Sequence, residues 1–432
     1  MNFLTSNLSK GPRFTPLVDI SIFVAFFDEL ELNKLKLLAN RTKQTSLASL
    51  CDREIFGGLM RLILTVILIG LVSLYTHSAG AMDISWNGFG SFYYGQALSS
   101  DVMPIGLPNT HPNFTNYSLV GLNFGGEIND DLKVVAQFVA LGSPVGSTDS
   151  FGLMAQWAYV NYTPASGTSI KIGRQLEPVL IASEYIRVGY LLPFQKIPAV
   201  VSLNIPLSRF DGVSINQSYK TSVGQLTFGL FGGSPLIDIN QTLIAGFATL
   251  LISDLYGAQV TLDGDGWRLH ANGSIDYARI SYTANPNGTL EAHSRVLSAG
   301  YRYDKNNLVS WGEYVLTSSQ DGTPVNGGRF LGSSHAGYLL VGYRLGNLMP
   351  RYTFAQAETA NNTTTALGTS TNGQLISHTL GLNWQIGQVV AKIDYEHDVL
   401  PSQQGSAMYV NQSSTSTATA SDALFTGLDF IF

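Results

Sequence analysis

Charge is what this sequence has least of. Asp, Glu, Lys and Arg make up 12% of 432 residues, about half of the roughly 25% found in soluble domains, so an ordinary solvated surface is hard to build from it. Long apolar runs are scarce too: 45% of the residues are hydrophobic, yet only one continuous stretch occurs, near residue 70. Cysteine is reduced to Cys51, which excludes a disulfide framework and a cysteine metal site. There is no Lys/Arg cluster, and a formal charge of −6 argues against nucleic acid as a partner. No cofactor and no metal are expected.

What is present is Gly, Tyr and Phe, at 44, 20 and 22 residues against 16 Pro. Dispersed apolar and aromatic residues interrupted by glycine suit many short strands better than helices.

The amino end carries an address label. "MRLILTVILIGLVSLYTHSAGA" begins at Met60 with Arg61, runs apolar from Leu62 to Tyr75 and ends Ala79-Gly80-Ala81, the three parts of a secretory signal. Its apolar middle is shorter than the roughly 20 residues a spanning helix needs. Residues 60–81 are therefore read as a signal peptide, cleaved after Ala81. Residues 1–59 are read as an upstream extension that is not translated, with an amphipathic helix as the alternative. The mature region, 82–432, carries 16 Lys/Arg and 24 Asp/Glu, a net −8, and no cysteine.

From Asp83 onward the chain divides into sixteen alternating segments, from 83–95, 115–128 and 131–141 to 388–398 and 422–432. Each is near the ten residues that a tilted strand needs to cross a bilayer. Seven connections are tiny, among them "ND" after Ile128, "GD" at Gly264 and "KNN" after Asp304. Eight are long: 96–114, 142–152, 177–209, 233–252, 279–291, 318–334, 359–374 and 399–421. Strict alternation of short and long connections gives one trimmed end and one ornate end, as in a transmembrane barrel and without purpose in a soluble sandwich.

Polarity within the strands agrees. In "GWRLHANGSIDY", Trp267, Leu269, Ala271, Ile275 and Tyr277 share one face, and Arg268, His270, Asn272, Ser274 and Asp276 the other. Arg295 shares the apolar face but lies near the external end, where a charge costs only about 0–1 kcal/mol. Glu313 lies deeper and is assigned to the lumen, which turns Trp311 inward as well. Tyr93, Tyr159, Tyr162, Tyr301, Tyr303, Tyr343, Tyr352, Trp384 and Tyr395 are candidates for the two interfaces.

The chain ends "ALFTGLDFIF", with Leu428, Phe430 and Phe432 on one face. This ending resembles the assembly signal of bacterial outer-membrane barrels. With sixteen strands, the mature region resembles a trimeric porin of a Gram-negative bacterium. The third long connection, "EPVLIASEYIRVGYLLPFQKIPAVVSLNIPLSR", follows "IKIGRQ" and is too rich in Ile, Leu and Pro to be left in water. The resemblance implies an all-β, sixteen-stranded antiparallel transmembrane β-barrel whose long third loop folds into the lumen. It also implies a homotrimer in the outer membrane, in contact with its lipid, inserted by the barrel assembly machinery.

The implied function is passive diffusion of small hydrophilic solutes and ions, sorted at a constriction. Glu177, Glu184, Arg187, Lys196 and Arg209 on the third connection, with Asp211 just after it, are the candidates on one side. Arg268, Arg302, Arg344, Arg351 and Lys392 are the candidates across the lumen. General porins carry a basic cluster on the early strands, whereas strands one to four here offer only Lys133, which leaves ion preference open.

Two other classes compete. A barrel enzyme, lipase- or protease-like, would need "HANGS" to work as a hydrolase trio. His270 and Ser274 stand about 13 Å apart along a strand rising about 3.3 Å per residue, too far to share a proton, so no enzyme is expected. "DYEHD" at 394–398 reads as a solvated rim. A barrel plugged by its third loop is the remaining alternative.

Overall fold

Strands pair with their chain neighbours all the way round, and the last closes on the first, in a computed structural model of the chain. It describes residues 83–432 with interruptions, chiefly 143–150, 202–208, 237–246, 322–332, 400–408 and 412–418. The readings of 1–59 and 60–81 fall outside the described residues.

The closed barrel has sixteen strands. They are β1 (Asp83–Ala97), β2 (Leu119–Asn129), β3 (Leu132–Gly142), β4 (Phe151–Tyr162), β5 (Thr168–Leu176), β6 (Arg209–Lys220), β7 (Gln225–Leu236) and β8 (Phe247–Gly264). The second half comprises β9 (Trp267–Tyr282), β10 (Asn285–Lys305), β11 (Leu308–Asp321), β12 (Ser333–Tyr343), β13 (Leu348–Ala360), β14 (Gly373–Ile386), β15 (Val389–Val399) and β16 (Ala420–Ile431). Two small ribbons lie outside it, Val102–Pro104 with Tyr409–Asn411 and Thr363–Thr365 with Gly368–Ser370.

One expected long connection is corrected. Residues 279–291 are mostly strand, because β9 and β10 stay paired through Arg279↔Glu291 and Ile280↔Leu290. At the trimmed end, "KNN" makes a tight turn with Asn306 at φ 52° and Asn307 at φ 65°. Two successive positive φ values are what a two-residue hairpin loop requires.

The outward face is apolar over the whole circumference. Leu153 is 74% exposed, Leu230 65%, Leu297 56% and Leu380 62%. A belt of this extent is stable only against hydrocarbon, and a closed ladder is the one sheet that can stand there with its backbone satisfied. Trp311 and Glu313 both point inward and are buried, and Arg295 is exposed on the outer face, each as expected.

At the seam, Phe430 pairs with Gly90 of β1, and Phe432 exchanges backbone hydrogen bonds with Gly88. The two aromatic rings stack on each other and cover these glycines. A Cβ at Gly88 would stand 2.2 Å from the Phe432 ring.

Candidate functional site

The third connection leaves β5 and is tied to inward-facing side chains of the opposite wall, residue after residue. Ser274 Oγ on β9 donates to Glu177 at 2.5 Å, and His270 Nε2 lies 2.9 Å from the Pro178 carbonyl. Ser298 on β10 donates to the Val179 carbonyl. The Ile181 N–H donates to Glu313 of β11 at 2.8 Å, and Tyr338 of β12 donates to the other oxygen of that carboxylate at 2.6 Å. After two short 3-10 turns, Ser183–Tyr185 and Gly189–Leu191, Asn383 of β14 donates to the Pro193 carbonyl at 2.7 Å. Lys392 of β15 donates to the carbonyls of Gly189, Leu192 and Phe194 at 2.8, 2.9 and 3.0 Å.

Between these polar ties the connection packs as a core. Val179, Leu180, Ile181, Ala182, Leu192 and Phe194 bury themselves against Val309, Trp311, Val315, Leu340 and Met349. Phe194 meets the rings of Trp311 and Tyr338 edge-on, with centroids 5.6 and 5.9 Å apart. Val188, further along, packs with Phe89, Leu119 and Val139 of β1, β2 and β3.

The more exposed charges within the barrel lie elsewhere. Glu184 of the connection pairs with Lys171 of β5 at 3.1 Å, with side chains 56% and 21% exposed. Lys171 also stands over the Tyr159 ring. This ammonium holds the Glu184 carboxyl below the usual carboxylate range. Arg268 and Arg302 are direct register partners on β9 and β10, a placement of like charges that normally destabilises a sheet. Each has its own relief: Asp263 sits 2.5 Å from Arg268, while Arg302 donates to the Tyr185 hydroxyl at 3.3 Å and lies over Trp311. Arg187 is half-buried in the connection.

Of the residues singled out from the sequence, Glu184, Arg268 and Arg302 thus come together. The others separate, for physical reasons. Glu177 is buried on Ser274. Lys196 is buried, 3.0 Å from Glu396 and over the Phe425 ring; burial lowers its pKa, but Glu396 and other neighbours outweigh this and raise it. Arg351 is fully covered between Asp394 and Asn383, and Lys392 is covered as well. Glu177, Lys196 and Lys392 fasten the connection instead of lining water, and Arg351 is tied within the wall to Asp394 and Asn383. Arg344 pairs with Asp304 near the short turns.

Arg209 and Asp211 are corrected outright. Both share the parity of Val213 and Ile215, 42% and 48% exposed on the outer face of β6, but Arg209 is itself buried at the strand end, where it donates to the Ala155 carbonyl at 3.3 Å. Asp211, on the outer face, is paired bidentately with Arg174 of β5 at 2.9 and 3.0 Å. Tyr93 and Tyr159 also leave the interface list, since both point inward, Tyr93 onto Asp429 and Tyr159 under Lys171. Tyr162, Tyr343, Tyr352, Trp384 and Tyr395 are exposed on the outer face.

Sequence reasoning missed Lys171, although Ile170 and Ile172 beside it give its inward parity away. It also missed the acids Asp394, Glu396 and Asp429 as partners of the buried bases. His270 and Ser274 have the separate partners given above, so they form no relay. "DYEHD" is divided between faces, with His397 outward on Asp422 at 2.8 Å. Among the described residues no cluster of His, Cys, Asp and Glu could hold a metal ion.

No protein-family model matches the chain, and no curated protein matches it in sequence. Solved structures do. The anion-selective porin of Comamonas acidovorans superposes with a TM-score of 0.53 at 12% identity, over 81% of this chain and 100% of the other. The outer membrane channel DcaP of Acinetobacter baumannii gives 0.53 at 12%, over 82% and 99%. A Salmonella typhi OmpF complex with daunomycin gives 0.51 at 16%, over 81% and 97%. The fold is that of the outer-membrane porins: a closed, multi-pass, sixteen-stranded antiparallel β-barrel.

Proposed function

We propose that the chain is an outer-membrane channel for passive diffusion of small hydrophilic solutes and ions. The observation that carries this reading is a group of charges inside a closed barrel where the third connection faces β5, β9 and β10: Glu184 paired with Lys171, and Arg268 beside Arg302. Opposed charges across a slot of low dielectric set up a transverse field that orients dipolar solutes and discourages apolar ones. Three bases against Glu184 and Asp263 favour anions slightly, and this local balance outweighs the net −8 of the mature region because screening confines distant charges to about 10 Å. The reading as a channel and not an enzyme is supported by His270 and Ser274, each spent on fastening the connection.

The wider proposal keeps the signal peptide at 60–81, assembly through Leu428, Phe430 and Phe432, and a homotrimer in outer-membrane lipid. Conductance of purified protein in planar bilayers tests it. The expected result is stepwise current, three closures per assembly, and a reversal potential in a salt gradient displaced mildly toward anions. A silent bilayer would mean that the connection plugs the barrel, and hydrolysis of lipid or peptide by the pure protein would transfer it to the enzymes.

A further inference from the structure

Three carbonyls at the tip of the third connection converge on a single ammonium group. Lys392 is wholly buried, and its three N–H donors go to three carbonyls of that tip, those of Gly189, Leu192 and Phe194. An ammonium has three protons and no more. Its 2.8 Å contact with Asp429 Oδ2 is therefore one of charge, with every donor already engaged by the backbone. Asp429 in turn accepts from Ser91 Oγ at 2.5 Å and Tyr93 OH at 2.7 Å. Both belong to β1, so the carboxylate that balances Lys392 sits astride the seam where the barrel closes. Gly189 completes the fit, because a Cβ there would stand 2.0 Å from Asp429 Oδ1 and 2.8 Å from Ser91 Oγ.

We propose that Lys392 is the positioning residue of the passage. It holds the tip of the third connection at a fixed distance from the β5, β9 and β10 wall, and thereby sets the bore. Asp429 makes that hold conditional on closure between β16 and β1. The proposal deepens the channel reading and rests on it for its consequence, since the bore matters only if solutes pass. The latch itself stands on geometry alone.

Two measurements separate these levels. Amide hydrogen exchange across residues 187–196 reads the latch whether or not current flows. In Lys392→Met, exchange there accelerates about tenfold or more, as expected when a docked segment opens locally. Single-channel conductance rises and flickers. Lys392→Met combined with Asp429→Asn removes the stranded carboxylate: thermal stability recovers while exchange stays fast, which a merely structural charge pair would not produce. Gly189→Val, which leaves every charge in place, gives the same fast exchange and serves if Lys392→Met does not assemble. Protection of 187–196 unchanged in both Lys392→Met and Gly189→Val would overturn the latch. Fast exchange in the variants with no current from any protein would sustain the latch and sink the channel.

Discussion

The two halves of the inner wall are built from different materials. On β1 to β8 many inward side chains are amides and hydroxyls that bond sideways from strand to strand, and the buried apolar ones form two small groups, Phe89, Leu119 and Val139 beneath Val188, and Phe210 with Phe231 and Leu255. Asn123 donates to Asn87 and Gln137 to Asn123, at 2.7 and 2.8 Å, and Gln259 donates to Asn216 at 3.1 Å. On β11 to β13 the larger share is apolar, with Val309, Trp311, Val315, Leu340, Met349 and Ala355 all buried beside the polar Glu313, Arg351 and Thr353. Side chains that satisfy one another can face water without cost, and apolar ones cannot. The third connection therefore lies mainly on the apolar half, with Val188 its apolar contact on β1 to β3.

The sharpest way to break this asymmetry is to charge the covered half. Leu340 is completely buried under the connection, so Leu340→Asp strands a carboxylate in an apolar cluster, a change that costs several kcal/mol unless the cluster opens. The connection is expected to leave the wall. Conductance should rise severalfold, and a bore unchanged from wild type would show that the apolar packing does not hold it.

A smaller insult to the same packing is Phe194→Ala. Its ring lies against Trp311 and Tyr338, and removing a buried phenyl costs about 3–5 kcal/mol. Because the loss falls on docking of the connection and not on the ladder, exchange within 187–196 should accelerate while the barrel strands keep their protection. Equal loss in both would mean that connection and barrel unfold as one unit.

How much of this was legible beforehand follows the same division. Alternation with period two reveals which face a strand residue occupies, so the sixteen strands, the inward Glu313 and Trp311 and the outward Arg295 were readable. It says nothing about what covers that face. Parity turns Arg351 and Lys392 correctly toward the interior, but it cannot tell a pore-lining base from a covered one, because the connection above them leaves no periodic trace. Asp211 differs: it follows the connection directly in sequence, but its parity with Val213 and Ile215 turns it to the outer face. Lys171 was available to the same parity argument and was passed over as a mere lead-in to the loop.

On the polar half, Glu184→Gln sharpens the comparison by altering charge without packing. It removes the acid that faces Lys171, Arg268 and Arg302, so the reversal potential should move toward anions while conductance changes little. The pH dependence of the native channel has a definite sign. Lys171 holds the folded Glu184 carboxyl below its ordinary value. The pair is therefore intact above the unfolded value of about 4.3 and lost only as pH falls through the lowered folded one. Selectivity should stay flat from neutral pH down past that ordinary value and turn more anionic below it. A shift already complete near pH 5 would show that Lys171 and Glu184 do not interact in the membrane.

The smallest effect is expected outside the barrel, at the Arg174–Asp211 pair. An exposed pair contributes about 0–1 kcal/mol, and charges near the interface end of a barrel's outer face cost little to keep. Replacing both residues, with Arg174→Ala and Asp211→Ala, should leave conductance, selectivity and exchange of the connection where they were. That null result carries weight, because the same two residues would be among the strongest determinants of ion flow if Asp211 faced the lumen. A changed reversal potential in this double variant would reverse the assignment of β6, and with it the parity from which the polar and covered halves are told apart.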